Sequence, residues 1–155
     1  MARDGRQDAA VSIIVEFFVA PDDVAAAGVL DAGPEGVFES VPFGNFVAGT
    51  AVIEWESILT GRGFAELVAL GMPRIVADAG DGSSCLVFAF SPALRVGLAA
   101  ADDARLDGVV SEWVRRDAGD GGAFDPEMAR LILDDVAGLA RLAIQEGHEV
   151  YCWMA

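Results

Sequence analysis

The sequence predicts an α+β domain: a mostly antiparallel or mixed sheet of four or five strands with helices packed against it. Three observations carry this. Short β-branched and aromatic runs are not regularly alternated with long helical segments, as a parallel doubly wound sheet would require. Two such runs flank a glycine-rich turn in the middle of the chain, which reads as a hairpin. The length of 155 residues, without an internal repeat or a linker-like stretch, suits one domain over residues 11–155 behind a polar leader at 1–10, which is expected to be disordered.

The first run, VSIIVEFFVA at residues 11–20, places Val11, Ile13, Val15, Phe17 and Val19 on one face. Ser12, Ile14, Glu16 and Phe18 take the other, which is also largely apolar, so the run predicts a central strand covered on both sides. Pro21, followed by Asp22 and Asp23, predicts a short helix with proline in its first turn, ending near Gly28. Within the glycine- and proline-bearing stretch at 31–49, VFESV (37–41) is a candidate short strand. From Thr50, a plausible N-cap, to Leu59, Val52, Trp55 and Leu59 share a helical face while Glu54, Glu56 and Ser57 point away. Gly61 and Gly63 end that helix, and FAELVAL (64–70) predicts a second one closed by Gly71.

RIVAD (74–78) and CLVFAF (85–90) are the hairpin strands around AGDGSS. Ser91-Pro92 supplies an N-cap and first-turn pair for a helix to about Ala100. Leu106, Val109, Val110, Trp113 and Val114 give the next helix, Asp103 to Arg116, its buried stripe. After the loop RDAGDGGAF, Asp125-Pro126-Glu127 opens the longest helix, along which Met128, Leu131, Ile132, Asp135, Val136, Leu139, Ala140, Ala143 and Ile144 run to a Gly147 cap. HEVYCWMA then closes the chain as a β-prone run.

The order of these segments resembles the YfbM-like family of uncharacterised bacterial proteins. The resemblance rests on FFVAPDDV, WESILTG at 55–61, GDGSSCLVFAFSPAL and LARLAIQEGHEVYCWMA, taken in that order. The long Trp/Tyr-bearing loop of that family before the last helix is missing. The resemblance implies a small α+β fold and brings no activity with it.

Composition narrows the function classes. A net charge of −15 repels nucleic acid and anionic membranes, so neither is expected as a partner. All ten basic residues are arginines. Without lysine, the usual phosphate-binding loop, Schiff-base and protein-kinase chemistries lose an essential group. The apolar share of 54% lies above the usual range of about 45–50%, so a homo-oligomer or protein partner is expected to cover apolar surface. With no apolar leader or membrane-length run, a cytoplasmic protein with reduced thiols is expected.

Candidate chemistry is sparse. His148, the only histidine, follows a helix-capping glycine, where the helix dipole alone accounts for it. As a general base it would need Cys85 or Cys152, the two thiols of the chain. If residues 148–152 are extended, His148 and Cys152 lie about 13 Å apart at Cα, so only Cys85 could meet it through the tertiary fold. No zinc spacing exists, and the acids Asp117, Asp120 and Asp125 miss the calcium-loop pattern, so neither a metal nor a cofactor is expected. Asp134 and Asp135 diverge around a helix, and GDGSSC lacks the helix that a phosphate cradle needs.

Two surfaces are candidates for binding. Glu54-Trp55-Glu56 would offer an indole between acids to a cationic partner, if Trp55 were not in the core. Tyr151 and Trp153 would offer apolar contact if the last strand were a sheet edge. The sequence thus favours a non-catalytic acidic interaction domain that binds itself or a basic protein, as an immunity or accessory factor does. The alternative is a small-molecule-binding domain or enzyme with a pocket lined by Trp55, Trp113 or Trp153, holding Cys85 and His148.

Overall fold

The computed structural model describes residues 14–44, 46–80, 85–119 and 125–155. The chain is α+β. Its five described strands are β1 (Ile14–Ala20), β2 (Ser40–Gly44), β3 (Arg74–Asp78), β4 (Leu86–Ala89) and β5 (Glu149–Met154). They form one antiparallel sheet in the order β2-β1-β5-β4-β3. The six described helices are α1 (Asp23–Ala27), α2 (Ala48–Thr60), α3 (Phe64–Ala69), α4 (Pro92–Ala100), α5 (Asp103–Gly119) and α6 (Pro126–Glu146). The expected leader at 1–10 and the hairpin tip at 81–84 fall outside the described residues.

The two-faced apolar character of the first run is used from Val15 to Ala20; Ile14 is exposed, and Val11, Ser12 and Ile13 lie outside the described residues. Val15, Phe17 and Val19 enter the main core with Val150 and Cys152 of β5, Phe88 of β4 and Phe90 just after it. The long α6 lies over this face through Ile132, Leu133, Val136 and Ala140, and α2, α4 and α5 pack around it. Phe18 and Ala20 turn to the opposite face and form a second, smaller core with Ala26, Val29, Val87, Ala89, Tyr151 and Trp153. Glu16 shares that second face, is buried, and accepts a hydrogen bond from Ser40 Oγ at 2.6 Å, which satisfies a group that burial would otherwise penalise.

Local chemistry fixes the helix ends. Ser91 Oγ accepts from Leu94 N at 3.0 Å, and Pro92 begins α4. Asp125 accepts from Glu127 N, and Gly147 ends α6 in the left-handed conformation at φ +70°. That turn reverses the chain so that β5 runs back beneath α6. In α1 the cap is Asp22, which accepts from Ala25 N, so Pro21 precedes the cap instead of occupying the first helical position. The strand expected at 37–41 lies at 40–44 instead. Pro34 O accepts from both Val37 N and Phe38 N, which holds 34–38 in a turn and delays the extended segment. Glu56 and Ser57 do not face water as the helical stripe suggests: both are buried. Ser91 Oγ at the head of α4 donates to Glu56, and Ser57 Oγ donates to the carbonyl of Arg62, each at 2.6 Å.

The last strand is the middle of the sheet, not its edge. The true edges are poor templates for another strand. β2 carries Pro42, which has no N–H. β3 is five residues long, starts with Arg74, ends with Asp78 and has a bulge between Ile75 and Ala77.

Candidate functional site

The arginines explain where the charge of the chain ends up. Arg3 and Arg6 lie outside the described residues; of the eight that remain, seven are turned onto the protein itself. Arg105 donates to the carbonyls of Ile58 and Leu59 at the end of α2, and Arg141 to those of Ala99 and Ala101 at the end of α4. Both neutralise the negative end of a helix dipole. Arg130 ties α6 to α5 through Asp103 and Asp107 and pairs with Asp134 on its own helix. Arg116 ties α5 to α2 through Glu54, 2.6 Å away, while its Nε meets Glu112 at 3.0 Å and Arg115 pairs with the same carboxylate. Arg74 holds Asp23 at 2.6 Å, and Arg95 stands 3.8 Å from Glu149. Positive charge is thus spent between elements, and the excess acids are left on the surface.

One face shows the result clearly. Residues 21–39, comprising α1 and the turns after it, form a cap over the second core. The cap contains Asp22, Asp23, Asp31, Glu35 and Glu39 and no basic residue at all. Asp22, Asp31, Glu35 and Glu39 are exposed. Among them stand Val24 and Val37, the former 83% and the latter 64% exposed. Acidic groups interleaved with bare valines make a surface suited to a partner that is both cationic and partly apolar.

Tyr151 and Trp153 lie beneath this cap instead of at a partner interface. Tyr151 is fully buried and Trp153 is 8% exposed, because β5 has neighbours on both sides and the cap covers that face. They hold the cap in place. Trp153 Nε1 donates to the carbonyl of Leu30 at 2.8 Å, and Tyr151 Oη donates to Asp23 at 2.9 Å. Phe18 stacks between Phe38 and Tyr151, with ring centroids 5.8 and 5.5 Å away. Gly33, at φ +86°, lets the cap backbone approach the Trp153 indole so closely that a Cβ there would sit 3.0 Å from a ring carbon. The sequence could have shown this only through the pairing of a positive-φ glycine with a large aromatic far away in the chain.

The other candidate surface is also redistributed. Trp55 is fully buried, edge-to-face with Trp113 at 5.2 Å and close to Phe17. It cannot act as an exposed indole between acids. Glu54 is spent on Arg116 and Glu56 on Ser91.

The cysteine and histidine candidates stay apart. Cys85 precedes β4 at the end of the ladder where Leu86 pairs with Met154. His148 precedes β5 at the opposite end, where Phe90 N donates to Val150 O. Cys152 lies four positions along β5 from His148, which an extended strand turns into about 13 Å. It is fully buried, and burial raises its thiol well above the ordinary range. His148 is partly exposed, with Nδ1 3.5 Å from Glu146 Oε1. The geometry therefore assembles no thiol–imidazole pair. Trp55, Trp113 and Trp153 lie in packed cores rather than lining one pocket with these groups. Among the described residues no cluster of three or more histidines, cysteines or carboxylates is placed to hold a metal, and no helix is long and apolar enough to cross a membrane. Asp117 belongs to α5 rather than to a loop, and Asp120 lies outside the described residues.

Two carboxylates respond to acid. Hydrogen bonds from Arg115, then from Arg116, lower Glu112 from 4.5 to about 2. Arg74, then Tyr151, lower Asp23. A carboxylate with a depressed folded value stabilises fully above its unfolded value and loses that contribution as pH falls through the folded one. Thermal stability is therefore expected to decline as pH drops from 4.5 toward 2, and Glu112→Gln is expected to make the decline shallower. Melting temperatures recorded across this window, at low and high salt, check it. An unchanged profile in the variant would remove Glu112 from the account.

Comparison with protein-family models, with curated proteins and with solved structures finds no match, so the resemblance to YfbM-like proteins rests on motif order alone.

Proposed function

We propose that this chain is a non-catalytic interaction domain whose partner is a basic protein that docks on the cap formed by residues 21–39. The observation that carries the reading is the pairing of four exposed acids with two exposed valines on a segment without one basic residue. The inward use of the arginines supports it: among the described residues Arg74 is committed to Asp23 of the cap, and Asp22, Asp31, Glu35 and Glu39 are left without an arginine partner. The acids would steer a cationic partner and set the salt dependence of binding, and the valines would supply contact area.

Calorimetric titration with an arginine-rich peptide of defined sequence tests this. Binding is expected to weaken with added salt. The triple substitution Asp31→Asn, Glu35→Gln, Glu39→Gln is expected to weaken it by about tenfold or more, given the several charges removed. A charge-matched triple elsewhere, Glu66→Gln, Glu127→Gln, Glu146→Gln, is expected to have little effect. Equal losses in both triples would reduce the binding to general charge attraction and remove the cap from the account. Light scattering on the same samples reports whether the chain also associates with itself.

A further inference from the structure

A second surface has the opposite character. Between the end of α2, the start of α3 and the last turns of α5 lies an open groove of about 750 Å³, within the size range of small-molecule sites. Its lining includes three arginines, Arg62, Arg115 and Arg116, against two glutamates, Glu54 and Glu112. This is a local excess of positive charge in a chain of net charge −15. Ile58 and Phe64 add an apolar wall.

The three arginines are not equivalent. Arg116 is committed: it donates to Glu54 at 2.6 Å, to Ser57 Oγ at 3.1 Å and to Glu112 at 3.0 Å. Arg115 shares the Glu112 carboxylate with Arg116 and is 71% exposed, so it can turn to another anion while Glu112 keeps a partner. Arg62 is held by its backbone alone. Its carbonyl accepts from Ser57 Oγ at 2.6 Å, and its N–H donates to Thr60 Oγ1 at 3.3 Å. Among the described residues no carboxylate or carbonyl meets its guanidinium, in contrast to the other seven. A fixed backbone carrying five uncommitted donors beside an apolar wall is a receptor arrangement for an oxyanion that accepts two parallel hydrogen bonds.

We propose that this groove binds a small organic oxyanion, a carboxylate or phosphate on an apolar body, with Arg62 as the principal cation and Arg115 as the second. The apolar body packs on Ile58 and Phe64. The overall negative field rejects polyanions, so the site selects small ligands of low charge.

The test uses benzoate, phenyl phosphate and neutral benzyl alcohol as probes, titrated into the full chain at low ionic strength and followed by calorimetry or amide shifts. One or both anions are expected to bind, and benzyl alcohol is not. Arg62→Gln, which breaks no internal contact, is expected to lower anion affinity by about tenfold. Preference for benzoate or for phenyl phosphate assigns the head group. The cap triple variant is expected to bind the anions as the parent does, which separates this site from the proposed protein interface. Absence of anion binding at millimolar concentrations, or equal affinity in Arg62→Gln, would overturn the proposal.

Discussion

Replacing Trp153 by alanine is expected to destabilise the chain by about 3–5 kcal/mol, the usual range for emptying a large buried aromatic site. The indole does two jobs at once. Its ring fills the second core against Phe18-side neighbours and the backbone at Gly33, and its N–H holds the carbonyl of Leu30 at 2.8 Å. Trp153→Phe keeps much of the apolar contact and removes the hydrogen bond, so it adds about 0.5–1.5 kcal/mol for that bond to a smaller packing loss. Gly33→Ala probes the same contact from the cap side. It places a Cβ 3.0 Å from an anchored ring at φ +86°, a backbone region that costs a non-glycine residue about 1–2 kcal/mol before any clash. Urea denaturation of the three variants checks the set. An alanine loss below about 1 kcal/mol would mean that the indole does not anchor the cap. Because the cap is also the proposed docking surface, Trp153→Ala should weaken peptide binding without touching one exposed acid.

Trp55→Ala is expected to cost a similar amount, about 3–5 kcal/mol, through the main core. Trp55→Phe should behave differently from an ordinary truncation. The Trp55 indole N–H is buried, and among the described residues it has no hydrogen-bond acceptor. An unsatisfied buried donor costs about 1–3 kcal/mol, so removing it offsets part of the lost ring contact with Trp113 and Phe17. The phenylalanine variant is therefore expected to lose less than about 1.5 kcal/mol relative to the parent. Equal losses for phenylalanine and alanine would show that the N–H is not a strained group and that ring volume alone decides.

The sheet and most helices were legible because their signals are local. RIVAD at 74–78 matches β3 in full, and Ser91-Pro92 and Asp125-Pro126 mark the starts of α4 and α6. Residues 37–41 misled because Val37, Phe38 and Val41 are β-prone residues, whereas a turn closed by the carbonyl of Pro34 overrides that propensity. Met128, Leu131 and Ile144 share the apolar pattern of α6 yet stand exposed, since the buried face of the helix runs through Ala129, Leu133, Val136, Ala137 and Ala140 instead. The candidate sites were harder to read. Trp55 as a core residue followed from its helical stripe, but the burial of Glu56 and Ser57 depends on Ser91 and Arg62, which other elements bring to them. The fate of Tyr151 and Trp153 depended on strand order, which no single segment encodes. The uncommitted state of Arg62 is visible only after the partners of the other arginines are known.

The position of β5 also governs how the sheet can form. The β1–β2 pair and the β3–β4 pair each close over a modest stretch of chain. Nothing in the sheet joins one pair to the other except β5, in which Met154 lies opposite both Val15 and Leu86. Two local ribbons therefore wait on a strand that comes after every other element in sequence, and the entropy of closing the long loop back to β1 falls on that single docking event. The same arrangement governs opening: β5 cannot leave without parting both halves at once, so the middle of the sheet has no cheap local route to unfolding.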